Sequence, residues 1–318
     1  MRSVALLLLG FSSAASTVRA QLQGFNYGAT FEDGSCRLAS DFVGTFNSAH
    51  NLAGTDGSFT SARLYTTIQC GTTNEPISAI QAAIDTDTSL LLGLWASAGD
   101  TIFDNEIAAL SSAVAQYGSA FTDRIIGISV GSEDLYRSSP QGIANEAGVG
   151  VDSATIVRYI NRVKDLASQT PLLQGKSIGH VDTWTAWVLP ENAPVANAVD
   201  WLGYNSFPYF EDTLPNSIED AESVFFNALG ATEGVSGGKP VWVTETGWPH
   251  SGPTSNLAVA SVENAQTYWS SVGCGLFGQR NIWWYTLSDA NTAQTEISFG
   301  VAGAGNPPST TPIYDLSC

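Results

Sequence analysis

The 318-residue sequence predicts an α/β protein, a (β/α)8 TIM barrel in a single domain, and three observations carry that reading. Short apolar runs alternate with stretches whose apolar residues recur at helical spacing, and the alternation repeats eight times. No G-x-G-x-x-G or Walker loop follows any of the runs, as an open doubly wound sheet would commonly show. Two of the runs end in a carboxylate, at the strand exits where barrels of this kind build their active sites.

The first strand spans 24–29, closing on glycine and small residues, and residues 37–52 follow with a helical apolar spacing. Strand 62–65 then precedes a helix over 77–84. The run Leu90-Leu91-Leu92-Gly93-Leu94-Trp95 is apolar throughout, as a parallel strand buried on both faces requires, and a helix over 102–117 covers it. The fourth unit pairs strand 125–133 with helix 154–167. Strand 177–184 follows, with a short Pro-rich crossover. Strand 201–207 leads into helix 217–229, strand 241–245 into helix 262–272, and 281–287 is the eighth strand.

The seventh strand, Val241-Trp242-Val243-Thr244-Glu245, is apolar and β-branched until it delivers an acid, followed by Thr246-Gly247-Trp248-Pro249. A buried strand tolerates a charge only where it ends, because an unpaired carboxylate in a core is costly. The fourth strand has the same grammar, running from Ile125 through Val130-Gly131-Ser132 to Glu133. A lone strand-end glutamate is as readily a salt-bridge partner. Two in matching contexts, among aromatic residues, are the constellation of glycoside hydrolysis, where one carboxyl holds a proton and the other is ionised. Asn26, Tyr27, Tyr65, Asp182, Trp184, Tyr204, Asn205, Phe207 and Trp248 sit at the same ends and are candidates for binding sugar. Aromatic faces stack on pyranose C–H faces, and amides and phenols bond hydroxyls. His180 and Asp182 share a strand face and invite a metal reading, but a lone strand histidine is more commonly a hydrogen-bonded structural residue, so no metal and no cofactor are expected.

Thirty acidic against twelve basic residues, net −18, exclude a phosphate-binding surface and hence nucleic acid as a partner. The opening, Met1-Arg2, then Leu6 to Leu9, then Val18-Arg19-Ala20, fits a signal peptide over 1–20, leaving 21–318 as the barrel. No later run is long enough for a membrane span and the C-terminal residues carry no lipid-anchor signal, so a secreted or wall-associated monomer is expected. Four cysteines in an exported chain imply two disulfides with three possible connectivities, of which proximity along the chain favours Cys36 with Cys70 and Cys274 with Cys318.

Taken together, Gly24-Phe25-Asn26-Tyr27-Gly28, Leu64-Tyr65, Val130-Gly131-Ser132-Glu133, Val181-Asp182-Thr183-Trp184, Tyr204-Asn205-Ser206-Phe207 and Val243-Thr244-Glu245-Thr246-Gly247-Trp248-Pro249 resemble glycoside hydrolase family 17. The likeness is to its fungal cell-wall branch of β-1,3-glucanases and glucanosyltransferases. It implies β-1,3-glucan as the partner, Glu133 as acid/base, Glu245 as nucleophile, and Glu296 as the counterpart of an auxiliary glutamate. Ser132 departs from the asparagine that much of the wider family places before the acid/base. Ser288-Asp289-Ala290-Asn291 departs from an acidic pair and a lysine. The alternative reading is a catalytically weak or silent glucan-binding wall protein, for which the Ser132 departure is the hint.

Overall fold

The computed structural model describes residues 21–289 and 296–318, so the leader read over 1–20 and two residues of the second departure, Ala290 and Asn291, lie outside the described residues. Eight parallel strands close into a barrel in sequence order: β1 (Gln23–Tyr27), β2 (Phe59–Leu64), β3 (Ser89–Leu94), β4 (Ile125–Ser132), β5 (Ile178–Thr183), β6 (Trp201–Asn205), β7 (Val241–Glu245) and β8 (Ile282–Trp284). The β1–β8 pairing closes it, from Gln23 opposite Ile282 to Phe25 opposite Trp284. Helices Ala39–His50, Ala79–Thr86, Asp100–Tyr117, Ser153–Gln169, Ile218–Val235 and Val262–Tyr268 form the outer layer. The helix expected over 262–272 passes into a π-helical turn at Trp269–Gly273, and the fourth, sixth and eighth strands stop short of the expected 133, 207 and 287. The chain leaves the ladder there to build the mouth. Among the described residues no helix is long and apolar enough to cross a membrane.

Period-two alternation sorts the strand residues into two cores. The outward-facing set packs under the helices, as Phe25, Tyr27, Leu64 and Trp284 do. The inward-facing set fills the barrel floor with Leu91, Val181, Trp201 and Trp283, against Ile126 and Trp242. Trp201 and Trp242 stack with ring centroids 4.1 Å apart, and Trp283 donates its indole N–H to Ser61 Oγ at 3.0 Å. Three indoles fit because glycine stands opposite two of them: a Cβ at Gly179 would lie 2.3 Å from the Trp201 ring and one at Gly127 2.8 Å from Trp242. Disulfides join Cys36 to Cys70 and Cys274 to Cys318, with Cα separations of 5.4 and 5.5 Å. The second ties the C-terminal tail to the end of the π-helical segment.

Gly179→Ala should therefore destabilise the protein by about 1–3 kcal/mol through overpacking, read as a lower urea midpoint with an unchanged slope. An unaltered midpoint would mean that the indole floor is loosely packed.

Candidate active site

Two irregularities aim the strand-end glutamates. Between β4 and β5 the pairing steps from Ser129 opposite Gly179 to Ser132 opposite Val181, so β4 carries one residue more than its neighbour. Between β6 and β7 it steps from Tyr204 opposite Val243 to Asn205 opposite Glu245, and β7 gains one. A bulge re-aims the side chain that follows it, which turns Ser132 and Glu245 into the mouth. On β4 the turn is sharp: Gly131 has φ +80° and Glu133, a non-glycine residue, has φ 60°. Only glycine fits at 131, where a Cβ would meet Asp134 Oδ2 at 2.1 Å.

Arg63, from the middle of β2, stands at the centre with its side chain 1% exposed. Its Nη1 donates to Asn26 Oδ1 at 2.8 Å, to the Thr244 carbonyl at 3.4 Å and to Glu245 Oε1, and its Nη2 donates to Ser132 Oγ at 2.9 Å. The guanidinium lies over the Tyr65 ring, 4.7 Å from its centroid, and the Tyr65 hydroxyl bonds Glu245. Burial and the adjacent Glu245 charge keep that phenol protonated, and so able to donate. Arginine remains charged, so Glu245 is its counter-ion.

Glu133 lies in a different field. Asn205 Nδ2 donates to its Oε1 at 3.0 Å, while Arg137 Nη2 stays 3.6 Å from Oε2. Burial first, then the charge of Glu245, push its carboxyl up to about 7, with Asp182 adding to the rise and Arg137 and Asn205 opposing it. Asn205 is itself oriented by Thr244 Oγ1, which donates to its Oδ1 at 2.7 Å. One amide thus links the two strand ends. The pair of carboxylates divides into one paired with a fixed cation and one able to hold a proton near neutrality.

Of the other residues expected at the site, Asn26 and Tyr65 reach it through Arg63 and Glu245. Trp184 is half-buried, donates to Glu211 Oε1 at 2.6 Å and borders a groove of about 320 Å³ with Leu214, Pro215 and Asp220. Phe207 is half-buried, edge-on to Tyr285 and Phe299. Five of the expected residues are held elsewhere. Tyr27 faces outward onto Phe46 at 6% exposure, and Tyr204, fully buried, donates to the Phe225 carbonyl of the covering helix at 2.8 Å. Each follows or precedes an inward asparagine, and alternation allows only one of such a pair to face the barrel. Trp248 is buried, donating to the Val259 carbonyl at 3.0 Å and packing on Tyr209 and Tyr268. Asp182 is buried and accepts from the backbone of Leu135, Tyr136 and Thr183. Glu296 is exposed beside Gly252 and, among the described residues, contacts neither Glu133 nor Glu245.

Sequence reasoning passed over Arg63, Arg137 and Glu106. Arg63 was visible as a cation inside the run Ala62-Arg63-Leu64-Tyr65. Glu106 lies on the apolar face of its helix, between the buried Phe103 and Leu110. Its carboxylate accepts from the Thr66 hydroxyl and from the Thr67 N–H at 2.8 Å, and burial pushes it up to about 7. It thereby anchors the chain just past Tyr65.

A parallel eight-stranded barrel with an unequal carboxylate pair across its C-terminal mouth is the architecture of a glycoside hydrolase. The family model described as BtgE/BtgC glycoside hydrolase domain matches residues 24–303, and the chain belongs to that family. It is 55% identical over 98% of its length to the probable glucan endo-1,3-beta-glucosidase eglC of Aspergillus oryzae, and covers 66% of that protein. The corresponding protein of Aspergillus fumigatus is also 55% identical, with 68% of it covered. The chain thus spans about two thirds of the length of these curated relatives. Among solved structures, the glycoside hydrolase family 17 beta-1,3-glucanosyltransferase from Rhizomucor miehei superposes with a TM-score of 0.73 at 26% identity, covering 93% of this chain and 98% of that one.

Removing the guanidinium should be far more disruptive than removing the ion pair. Arg63→Met alone should lower the unfolding free energy by about 3–5 kcal/mol, because it strands a buried carboxylate, and Arg63→Met/Glu245→Gln should recover most of the loss. Equal losses in the single and double variants would remove Arg63 from the centre of the site.

Proposed function

We propose that the chain is a member of glycoside hydrolase family 17 that cleaves β-1,3-glucan with retention of configuration, passing the glycosyl unit to water or to a second glucan. The observation that carries this is the division of labour between Glu245, held against Arg63 and Tyr65, and Glu133, pushed up to about 7 and bonded by Asn205. Substrate class rests on the relatives. The Aspergillus proteins are named as glucan endo-1,3-beta-glucosidases, and the Rhizomucor enzyme, 26% identical, is solved as an active-site mutant with laminaritriose.

In the first step Glu245 attacks the anomeric carbon while Glu133 gives its proton to the departing glycosidic oxygen; the C–O bond to the leaving sugar breaks and a glycosyl ester forms on Glu245. In the second step the Glu133 carboxylate takes a proton from the acceptor hydroxyl, whose oxygen displaces Glu245 from the same carbon. Arg63 and Tyr65 meet the returning negative charge on Glu245 with fixed donors. Phe207 and Trp184 offer half-exposed rings for stacking on sugar. Two disulfides fit an exported protein, in keeping with the leader read over 1–20 and with a place at the cell wall. Ser132 is engaged by Arg63 rather than lost from the site, so it does not favour a silent binding protein.

Because Glu133 acts first as an acid, kcat/KM should fall as pH rises through about 7, and Glu133→Gln should abolish glucan cleavage and remove that alkaline limb from the residual turnover of an activated aryl glycoside. An alkaline limb surviving in the variant would reassign the acid. Glu245→Ala should lose on the order of 10⁴-fold in rate on every substrate, whereas Glu133→Ala should keep activity on aryl glycosides whose leaving group requires no proton. Reduced laminarin oligosaccharides separate the two acceptors. Products longer than the donor mark transfer, and only shorter ones mark hydrolysis.

A further inference from the structure

Directly behind the turn that carries Glu133 lies a polar cluster that the two-carboxylate chemistry does not use. His180 is wholly buried on β5. Its Nδ1 lies 2.6 Å from the Val130 carbonyl of β4 and its Nε2 lies 2.9 Å from Asp182 Oδ2. A carbonyl oxygen only accepts, which places a proton on Nδ1. Asp182 accepts from three backbone N–H groups, Leu135 at 2.9 Å on Oδ2, and Tyr136 at 3.2 Å and Thr183 at 2.9 Å on Oδ1. Three backbone N–H donors favour the ionised form of the carboxyl they reach, and an unprotonated Nε2 would then face it lone pair to lone pair. Both ring nitrogens must then donate.

We infer that His180 is a permanently protonated positioning residue, a buried imidazolium that locks the turn bearing Glu133 and offsets from behind the negative charge standing next to the acid/base. The inference rests on the acid/base reading of Glu133 for its functional half and on the hydrogen-bond geometry alone for its charge state.

The positioning runs through Asp182. Its carboxylate holds the N–H groups of Leu135 and Tyr136, the residues just past Glu133, and the Glu133 N–H donates to the Val181 carbonyl at 2.9 Å. Those contacts keep Glu133 in its left-handed conformation, which a glutamate adopts only when its surroundings impose it. His180 holds Asp182 in turn, and its Nδ1–H clips the same unit to β4 at Val130.

The electrostatic part follows from what faces each group. Around His180 stand Asp182 on its own strand, Asp134 from the turn after β4, the Val130 carbonyl and the edge of the Trp187 ring at 5.5 Å. Complete burial works against the imidazolium, but the Asp182 bond and charge, the Asp134 charge and Val130 outweigh it and raise its proton affinity. Around Glu133 stand Glu245, Arg137, Asn205 and Asp182. Asp182 raises the Glu133 carboxyl, and on this inference a cation bonded to Asp182 offsets part of that effect. Without the cation, the field at Glu133 becomes more negative and its proton is held more tightly.

The whole chain labelled with ¹⁵N-histidine tests the charge state without any turnover, since only His50, His180 and His250 contribute. His180 is assigned by its loss in His180→Gln or, if that variant does not fold, by elimination with His50→Gln and His250→Gln. Both His180 nitrogens are expected to resonate as protonated at least about one pH unit above the ordinary imidazole value of about 6.5. An unprotonated His180 nitrogen there would overturn the inference, whatever the substrate proves to be. Kinetics test the functional half. In His180→Gln the alkaline limb of kcat/KM should move upward by about half a pH unit or more, alongside a fall in kcat with little change in KM. A lower kcat with an unmoved limb would reduce His180 to packing and overturn its role at Glu133; loss of the limb only in Glu133→Gln keeps that result separate from failure of the acid/base reading itself.

Discussion

A charge that cannot reach water must be paired where it lies, and in this barrel that constraint falls on Arg63. Its guanidinium is reached from β1 by Asn26, from β4 by Ser132 and from β7 by Thr244 and Glu245. One side chain therefore ties strands on different sides of the barrel to a single point, and the nucleophile candidate is one of the ties. The planar fork suits the task, since it offers separate donors in fixed directions where a lysine would offer a single mobile charge. The bulges that turn Ser132 and Glu245 inward matter because they bring those groups within reach of the fork.

The second glutamate is placed by strain and the first by charge pairing. Glu133 leaves its strand in a left-handed conformation, with Gly131 two residues earlier supplying the space that Asp134 occupies. Asp134 in turn accepts from the Ser132 N–H at 2.8 Å and the Ser97 hydroxyl at 2.5 Å. Arg137, one helical turn on, bonds the Ser132 carbonyl at 2.7 Å and lies over Trp95. The turn is thus held by Asp134, Ser97 and Arg137 together, which is how a strained backbone persists at a site that needs it.

The barrel was legible because its strands are continuous apolar runs and its helices carry a clear apolar spacing, both of them local signals. The strand-end position of Glu133 and Glu245 was legible for the same reason: a carboxylate closing an apolar run has few other places to be. The supporting shell was harder to read. Arg63 interrupts an apolar run in plain view, but its partners come from three other strands, and no sequence pattern records that convergence. Asp182, taken as a sugar contact, proves to hold the backbone behind Glu133, because the β4 turn opens unsatisfied N–H groups that only the fold reveals. Tyr27 and Tyr204 could have been sorted from the sequence, since each adjoins an inward asparagine on a strand of period two. Trp248 could not. Its indole is drawn under the Val259 segment by a loop whose path has no local signature.

The central claim is that Glu245 and Glu133 act in two successive displacements at one carbon. The anomeric configuration of the newly formed reducing end, when a reduced β-1,3-linked oligosaccharide is cleaved and followed by proton NMR before mutarotation sets in, tests that claim most directly. Two displacements predict that the β-anomer appears first and the α-anomer grows in only afterwards. An α-anomer appearing first would mean a single displacement by water, and would contradict the roles drawn for both carboxylates.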